Sequence, residues 1–233
     1  MSTDFKENVI DLPDLRDRTF VFHDRAHAGK TVAGMISEYK ETNARVLGIP
    51  AGGIPVAVEI ADELKLSLDI AVVSKITLPW NTEAGYGAVA FDGTVRLNQQ
   101  LVSGLGLSKK DIQQGIEHTS RKVAMRAKTL RGEQPFPDLS RASVLLVDDG
   151  LASGFTMLVG VEALRRVGVR GIVVAVPTGH DKSVRMIADS VEKVYCANIR
   201  HGMGFAVADA YERWSDVSDE EVMHLLQDRK GSG

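Results

Sequence analysis

Cysteine is almost missing from this chain: Cys196 is the only one in 233 residues. An intramolecular disulfide is excluded, which fits a reducing cytoplasm. Cys196 sits in the apolar run Val194-Tyr195-Cys196-Ala197, where burial is expected rather than catalysis. Long hydrophobic runs are missing too. Nowhere do about eighteen apolar residues follow one another, so no membrane span is expected. Residues 1–14 are acidic and polar, without the basic start and apolar stretch of a signal peptide. Charge of one sign is also lacking: 28 Lys and Arg stand against 31 Asp and Glu, a net charge of -3. Nothing there points to nucleic acid. A cytoplasmic protein with neither a nucleic-acid nor a membrane partner is expected. Repeats and low-complexity tracts are absent.

What remains is an ordinary globular balance, 44% hydrophobic and 25% charged. The length suits one generous α/β domain or one with an inserted subdomain. Residues 19–23 read as a short edge strand, and Asp24 as a helix N-cap. Val32, Met35, Ile36 and Tyr39 follow at helical spacing. Residues 45–49 read as a buried strand that breaks at Pro50-Ala51-Gly52-Gly53. A helix over 54–64 and a strand over 68–73 complete a β-loop-α-β unit of a parallel sheet.

The stretch around which the chain is organised comes later. Val144-Leu145-Leu146-Val147 reads as a buried strand. Asp148 and Asp149 follow at its end, then Gly150-Leu151-Ala152-Ser153-Gly154-Phe155-Thr156, a small-residue loop leading into a helix over 154–167. In a parallel sheet, ligands bind beyond the carboxyl ends of the strands. Ionised carboxylates only accept hydrogen bonds, so an adjacent pair suits a vicinal diol. Backbone N–H groups of the loop and the helix start suit a phosphate, with Ser153 and Thr156 adding hydroxyls. The stretch can thus hold a ribose phosphate. A capping Asp and a turn glycine are the plainer explanation of any isolated Asp-Asp-Gly, but not of this whole string.

Taken over all thirteen positions, the string resembles the phosphoribosyl-pyrophosphate (PRPP) motif of type I phosphoribosyltransferases. The resemblance implies an α/β fold: a parallel-sheet core flanked by helices, with a lid or hairpin insertion and a small hood. We expect one domain over 1–233, with the lid and helical insertion at 76–135 and the hood and C-terminal segment at 198–233. Asp148 and Asp149 are then the catalytic pair fixing the ribose hydroxyls. Residues Gly150, Leu151, Ala152, Ser153, Gly154, Phe155 and Thr156 hold the 5-phosphate. Ala51, Gly52 and Gly53 form the pyrophosphate loop, which otherwise reads as a tight turn. The resemblance often has Arg or Lys where Ala51 stands. Lys75, beyond the strand over 68–73, can supply that charge, or is simply solvated.

Pro79, Trp80, Asn81, Gly85 and Gly87 punctuate the next segment. Residues 86–91 and 94–97 suit a hairpin about Asp92-Gly93, and such an excursion serves as a lid or as a surface hairpin. Trp80, Glu83 and Tyr86 are its candidate closing residues. The order Lys, Pro, Glu, Gly-Ala-Val resembles a group of microbial phosphoribosyltransferases. A long helix over 108–131 starts with a capping box at Ser108 and Asp111. Its basic run Arg121, Lys122, Arg126, Lys128 and Arg131 reads as a solvated face or as a surface for a partner subunit or anion. Strands over 171–177 and 191–197 bracket a helix over 181–190. Ser218 and Glu221 cap a last helix over 219–226. Phe205 or Tyr211 can stack on a base or simply pack, and His180 reads as a loop histidine without a chemical role.

The resemblance implies transfer of ribose 5-phosphate from PRPP to a nucleobase-like acceptor with release of pyrophosphate. Mg²⁺ is its cofactor, with Asp148 and Asp149 contacting the metal indirectly, and a homodimer is its usual assembly. Ala152 replaces the Asp of the 6-oxopurine members, which disfavours hypoxanthine or guanine salvage and leaves adenine, orotate and uracil open. Two alternatives stand beside this: a non-catalytic PRPP-binding regulator, favoured by Ala51, and an unrelated receiver-like domain using the acid pair, disfavoured by the 150–156 loop.

Overall fold

A computed structural model describes residues 5–78, 80–132 and 134–231. Its strands are β1 (Val9–Ile10), β2 (Arg45–Gly48), β3 (Ser67–Ile70), β4 (Val73–Leu78), β5 (Asn81–Ala90), β6 (Val95–Leu97), β7 (Ser143–Val147), β8 (Gly171–His180) and β9 (Lys193–Arg200). The helices are α1 (Arg25–Met35), α2 (Gly53–Leu64), α3 (Gln99–Gly104), α4 (Lys109–Arg131), α5 (Phe155–Arg166), α6 (Asp181–Ala188) and α7 (Asp219–Gly231). Six strands form a parallel sheet in the order β1-β9-β8-β7-β2-β3, and β4-β5-β6 form a separate antiparallel sheet. No helix among the described residues is long and apolar enough to cross a membrane.

Alternation along the central strands sets the layers. Leu145 and Val147 point to one face, with Val32 of α1 and Ile60 of α2, whereas Leu146 points to the other, with Val159 of α5 and Ile187 of α6. Both faces are covered, which is why these strands read as unbroken apolar runs. The strand order reverses direction between β2 and β7, which lie side by side in register Gly48 to Val147. From β2 the chain proceeds to β3 on one side, and from β7 to β8 on the other. Such a reversal opens a crevice at the carboxyl ends of the two strands.

Several elements differ from expectation. The edge strand of the main sheet is β1, while the 19–23 stretch contributes only a bridge from Phe22 to Tyr211. The apolar run over 68–73 is two strands: β3 ends at Ile70, and β4 starts at Val73 in the other sheet. Residues 70–73 are all buried, so hydrophobicity carries no mark of the change of sheet. The expected hairpin about Asp92-Gly93 is present as β5 and β6, with β4 as its third strand. Arg96 pairs with Glu162 of α5, and Arg166 donates to Thr94 Oγ1 at 3.1 Å, so this tip is fastened to the body. Tyr86 is 1% exposed, in a third cluster with Ile76, Val89 and Val123. Its side chain lies under α4 rather than over the crevice. Trp80 is exposed, and the side chain of Glu83 lies outside the described residues.

The α4 helix is also less solvated than its composition suggests. The expected capping box is formed, with Ser108 Oγ accepting from Asp111 N. Arg121 and Lys122 are exposed. Arg126, however, donates to Asp219 Oδ1 at 2.8 Å and to Pro50 O at 3.1 Å, and Arg131 donates to Asp69 Oδ1 at 2.9 Å. The two arginines bind the helix to α7 and to the ends of β2 and β3.

A methyl group at Gly115 of α4 would lie 2.2 Å from Tyr86 Oη and 3.0 Å from Ile76 Cγ2. Helix propensity alone makes Gly115→Ala stabilising by about 1 kcal/mol. Overpacking against a rigid buried ring typically costs about 1–3 kcal/mol, so urea denaturation should show a net loss. A gain would mean that α4 does not clamp the three-stranded sheet.

Candidate active site

At the end of β7 the backbone leaves the sheet with two consecutive carboxylates. Asp148 Oδ1 accepts the amide of Asp149 at 2.9 Å, a local turn that fixes its rotamer. Asp149 Oδ2 accepts from Arg25 Nε at 3.0 Å and is ion-paired with Nη2 at 2.9 Å. Tyr211 Oη donates to the carbonyl of Asp149 at 2.7 Å. Arg25 was not singled out by sequence reasoning. It follows the helix cap Asp24, whose side chain accepts from His27 N at 2.9 Å, and nothing at that position marks it as more than a first-turn arginine. It is 9% exposed, donates through Nη1 to Ser215 O at 2.9 Å, and lies 3.8 Å from the centroid of the Trp214 ring.

The diglycine after β2 explains how the acids fit. A Cβ on Gly52 would lie 1.9 Å from Asp149 Oδ2, and one on Gly53 would lie 2.8 Å from Asp148 Cα. The two loops at the switch point are thus in contact, and only glycine allows it. The Pro50–Ala51 peptide is cis. Ala51 is half-buried and packs toward the cluster around Tyr86 and α4.

Beyond the acids, Leu151 rejoins the sheet. Its N–H donates to Thr178 O, and its carbonyl accepts from His180 N, both at 2.9 Å. This staple lets Ala152 and Ser153 turn outward before α5 begins at Phe155. Gly154 has φ +68°, and a Cβ there would meet Met186 at 2.9 Å and Ser183 at 3.1 Å, so glycine is required on both counts. Ser183 Oγ donates to the Ala152 carbonyl at 2.5 Å. Ser153 Oγ accepts from Phe155 N at 3.3 Å, leaving its own hydrogen free to donate outward. First-turn amides of α5 lack intrahelical acceptors, and the helix dipole adds positive potential.

These residues enclose a cleft of about 160 Å³ lined by Asp148, Asp149, the 150–154 loop, Thr156, Lys75 and Val207. A second cleft of about 210 Å³ shares Lys75, Ala152, Ser153 and Thr156 and adds Gly85, Gly87 and Phe155. Lys75 is exposed on β4 and faces the loop across both. Of the expected site residues, the fold brings together Lys75, the acid pair and residues 150–156. Gly52 and Gly53 adjoin the acids, and none of Ala51, Gly52 and Gly53 lines either cleft.

The remaining expectations resolve simply. Tyr211 is buried against Phe22 and Trp214, so it packs. Phe205 meets His180 edge-on and lies under Arg200. His180 contacts Gly202 O at 2.9 Å through Nε2. Cys196 is buried in β9, and burial pushes its thiol pKa up, the opposite of what a nucleophile needs. No group of three or more His, Cys, Asp and Glu side chains among the described residues could hold a metal ion.

Burial dominates the electrostatics. It raises the pKa of Asp148 well above the ordinary carboxylate value, with Asp149 adding repulsion and Lys75 and Arg25 opposing it. Asp149 is also raised by burial, with Arg25 as the main opposing influence. Burial and the neighbouring Asp149 hold the Tyr211 hydroxyl far above its usual value, so it stays a donor.

Two measurements test this geometry. A raised native pKa means that the folded chain keeps a proton which the unfolded chain has released, so stability falls as pH rises from the ordinary carboxylate value to the raised one and stays low above it. Asp148→Asn removes that cost and keeps the Oδ1 acceptor. Its Tm should exceed the wild-type Tm at neutral pH, with the difference vanishing at about pH 3. An unchanged difference across that range would contradict the burial of the pair. Gly52→Ala should lose about 1–3 kcal/mol in denaturant unfolding. Gly34→Ala, with open space around its Cβ, should be neutral or gain up to about 1 kcal/mol. Equal behaviour of the two would refute the loop contact.

Comparison with known proteins agrees with the arrangement. Residues 92–209 match the family model described as a phosphoribosyl transferase domain, half of the chain. Two curated Mycobacterium tuberculosis proteins, named "Putative phosphoribosyl transferase Rv0571c" (strain H37Rv) and "Putative phosphoribosyl transferase MT0597" (strain CDC 1551), are each 33% identical over 207 residues. Those alignments cover 88% of this chain and 46% of each relative, so the chain spans about half the length of the curated relatives it matches. The crystal structure of TT1426 from Thermus thermophilus superposes with a TM-score of 0.71 at 29% identity, covering 89% of this chain and 98% of that one. An acid pair at a parallel-sheet switch point, a small-residue loop leading into a helix, and this family match together place the chain in the phosphoribosyltransferase family, of the type I kind.

Proposed function

We propose that the chain transfers ribose 5-phosphate from PRPP to a nucleobase-like acceptor and releases pyrophosphate. The observation that carries this reading is the cleft itself: adjacent carboxylates at one end, a loop rich in amides and hydroxyls at the other, and Lys75 across from both. Asp148 and Asp149 accept hydrogen bonds from the ribose hydroxyls. The amides of the 152–156 stretch, with Ser153 and Thr156, take the 5-phosphate, the Leu151 amide being engaged by Thr178 O. Lys75 and the amides of Ala51 and Gly52 serve the pyrophosphate, the Gly53 amide being taken up by Ile49 O at 3.1 Å.

As the bond from the anomeric carbon to pyrophosphate lengthens, positive charge develops on the sugar and negative charge on the leaving group. The protein's task is placement and electrostatics. The acid pair stabilises the cationic sugar, and Lys75 the departing anion. Among the described residues the acid pair has no further metal-binding side chains grouped with it, which fits a Mg²⁺ that would arrive with the ligand and would supply charge neutralisation. Asp148 and Asp149 would face the metal through water or sugar. We read 1–233 as one phosphoribosyltransferase unit, working in the cytoplasm as a homodimer in nucleotide salvage. The acceptor lies among bases such as adenine, orotate and uracil, with Ala152 in the loop.

Calorimetry with PRPP and Mg²⁺, followed by pyrophosphate release with a panel of bases, tests the reading. Asp148→Asn combined with Asp149→Asn should abolish PRPP binding while far-UV circular dichroism is retained. Normal PRPP binding by that double variant would remove the site. Binding by the wild type with no release for any base would favour the PRPP-binding regulator, consistent with Ala51 in the pyrophosphate loop.

A further inference from the structure

The two carboxylates are chemically alike but differently held. Asp148 has a local partner, its neighbour's amide. Asp149 is gripped from outside its own loop: both Arg25 Nε and Nη2 converge on Oδ2, so the fork takes one oxygen and leaves Oδ1 outside it. Arg25 is fixed in turn. Its Nη1 reaches Ser215 O at 2.9 Å, and Trp214 covers its plane at 3.8 Å. The chain enters α1 at Arg25 and passes Trp214 just after the 207–210 turn, so segments near both chain ends close on one carboxylate. A planar guanidinium held by an ion pair, a carbonyl and an aromatic face has almost no rotamer freedom.

We propose that Arg25 is the positioning residue of the acid pair: backed by Trp214, it holds the Asp149 carboxylate in one orientation, so that Asp149 Oδ1 and Asp148 accept the sugar hydroxyls. The ligand in this statement rests on the phosphoribosyl reading above; the tie between Arg25 and Asp149 does not. The charged and titratable groups facing the pair are Arg25 from α1, Lys75 from β4 and Tyr211 from the 207–211 segment. The α2 side presents Gly52 and Gly53. Arg25 is the one of these cations in direct contact with Asp149, and lysine cannot reproduce its two-nitrogen grip.

The test uses the full chain in two readouts. Carboxyl-carbon NMR titration of the unliganded protein follows Asp148 and Asp149 in wild type, Arg25→Gln and Arg25→Lys. Arg25→Gln should move the pair's titration to higher pH, and Arg25→Lys should recover part of the shift. Calorimetry with PRPP and Mg²⁺ at neutral pH should show affinity falling roughly tenfold or more in Arg25→Gln, with partial rescue in Arg25→Lys. Should Arg25→Gln fail to fold, Trp214→Leu keeps the charge and removes its backing, and must weaken PRPP binding with a smaller shift in titration. A purely structural arginine would lower Tm and leave titration and affinity unmoved, and that result overturns the proposal. A shifted titration with unchanged PRPP affinity also overturns it. If wild type does not bind PRPP at all, the phosphoribosyl reading falls, and the titration alone decides whether Arg25 governs Asp149.

Discussion

Two carboxylates side by side and largely out of water are the constraint on which the rest of this structure turns. Left alone, each would be costly to ionise, and together they repel. The surroundings answer with one buried arginine, one tyrosine hydroxyl on the backbone, one lysine across the cleft and a pair of glycines that let a neighbouring loop press against the acids. Each answer comes from a different element: α1, the 207–211 segment, β4 and the β2–α2 turn. The acid pair is therefore where the fold's separate parts converge, and its position at the switch point between β2 and β7 makes that convergence possible.

A site built this way trades stability for a poised charge. The raised pKa of Asp148 means that the native state is less stable above the ordinary carboxylate range than it would be with a neutral residue. Acids whose pKa burial raises are typical of functional positions. Elsewhere α4 is tied to the ends of β2 and β3 through Arg126 and Arg131, and the β5–β6 hairpin is tied to α5 through Arg96 and Arg166. These four arginines thus tie one element to another.

Much of the fold was legible in the sequence, because apolar periodicity and capping are local. Asp24 caps α1 and Ser108 with Asp111 caps α4, as the residue types dictate. The strands β2, β7, β8 and β9 announce themselves as apolar runs, since a sheet covered on both faces needs no alternation. The same feature hid the break between β3 and β4, where burial is continuous across a change of sheet. Tyr86 misled for a related reason: a tyrosine in a glycine-punctuated segment suits a lid or a core equally, and only the placement of α4 over β4 and β5 decides for the core.

By itself, the sequence determined the acid pair, the small-residue loop and the family, because those thirteen consecutive positions carry their chemistry in one unbroken stretch of chain. It could not determine that residues 50–53 would touch residues 148–149, that Arg126 would reach Pro50, or that Arg25 and Trp214 would close on Asp149. Those contacts join residues roughly 75 to 190 positions apart. No local preference encodes them; they follow from the order in which parallel strands are laid down and from which loops that order makes neighbours.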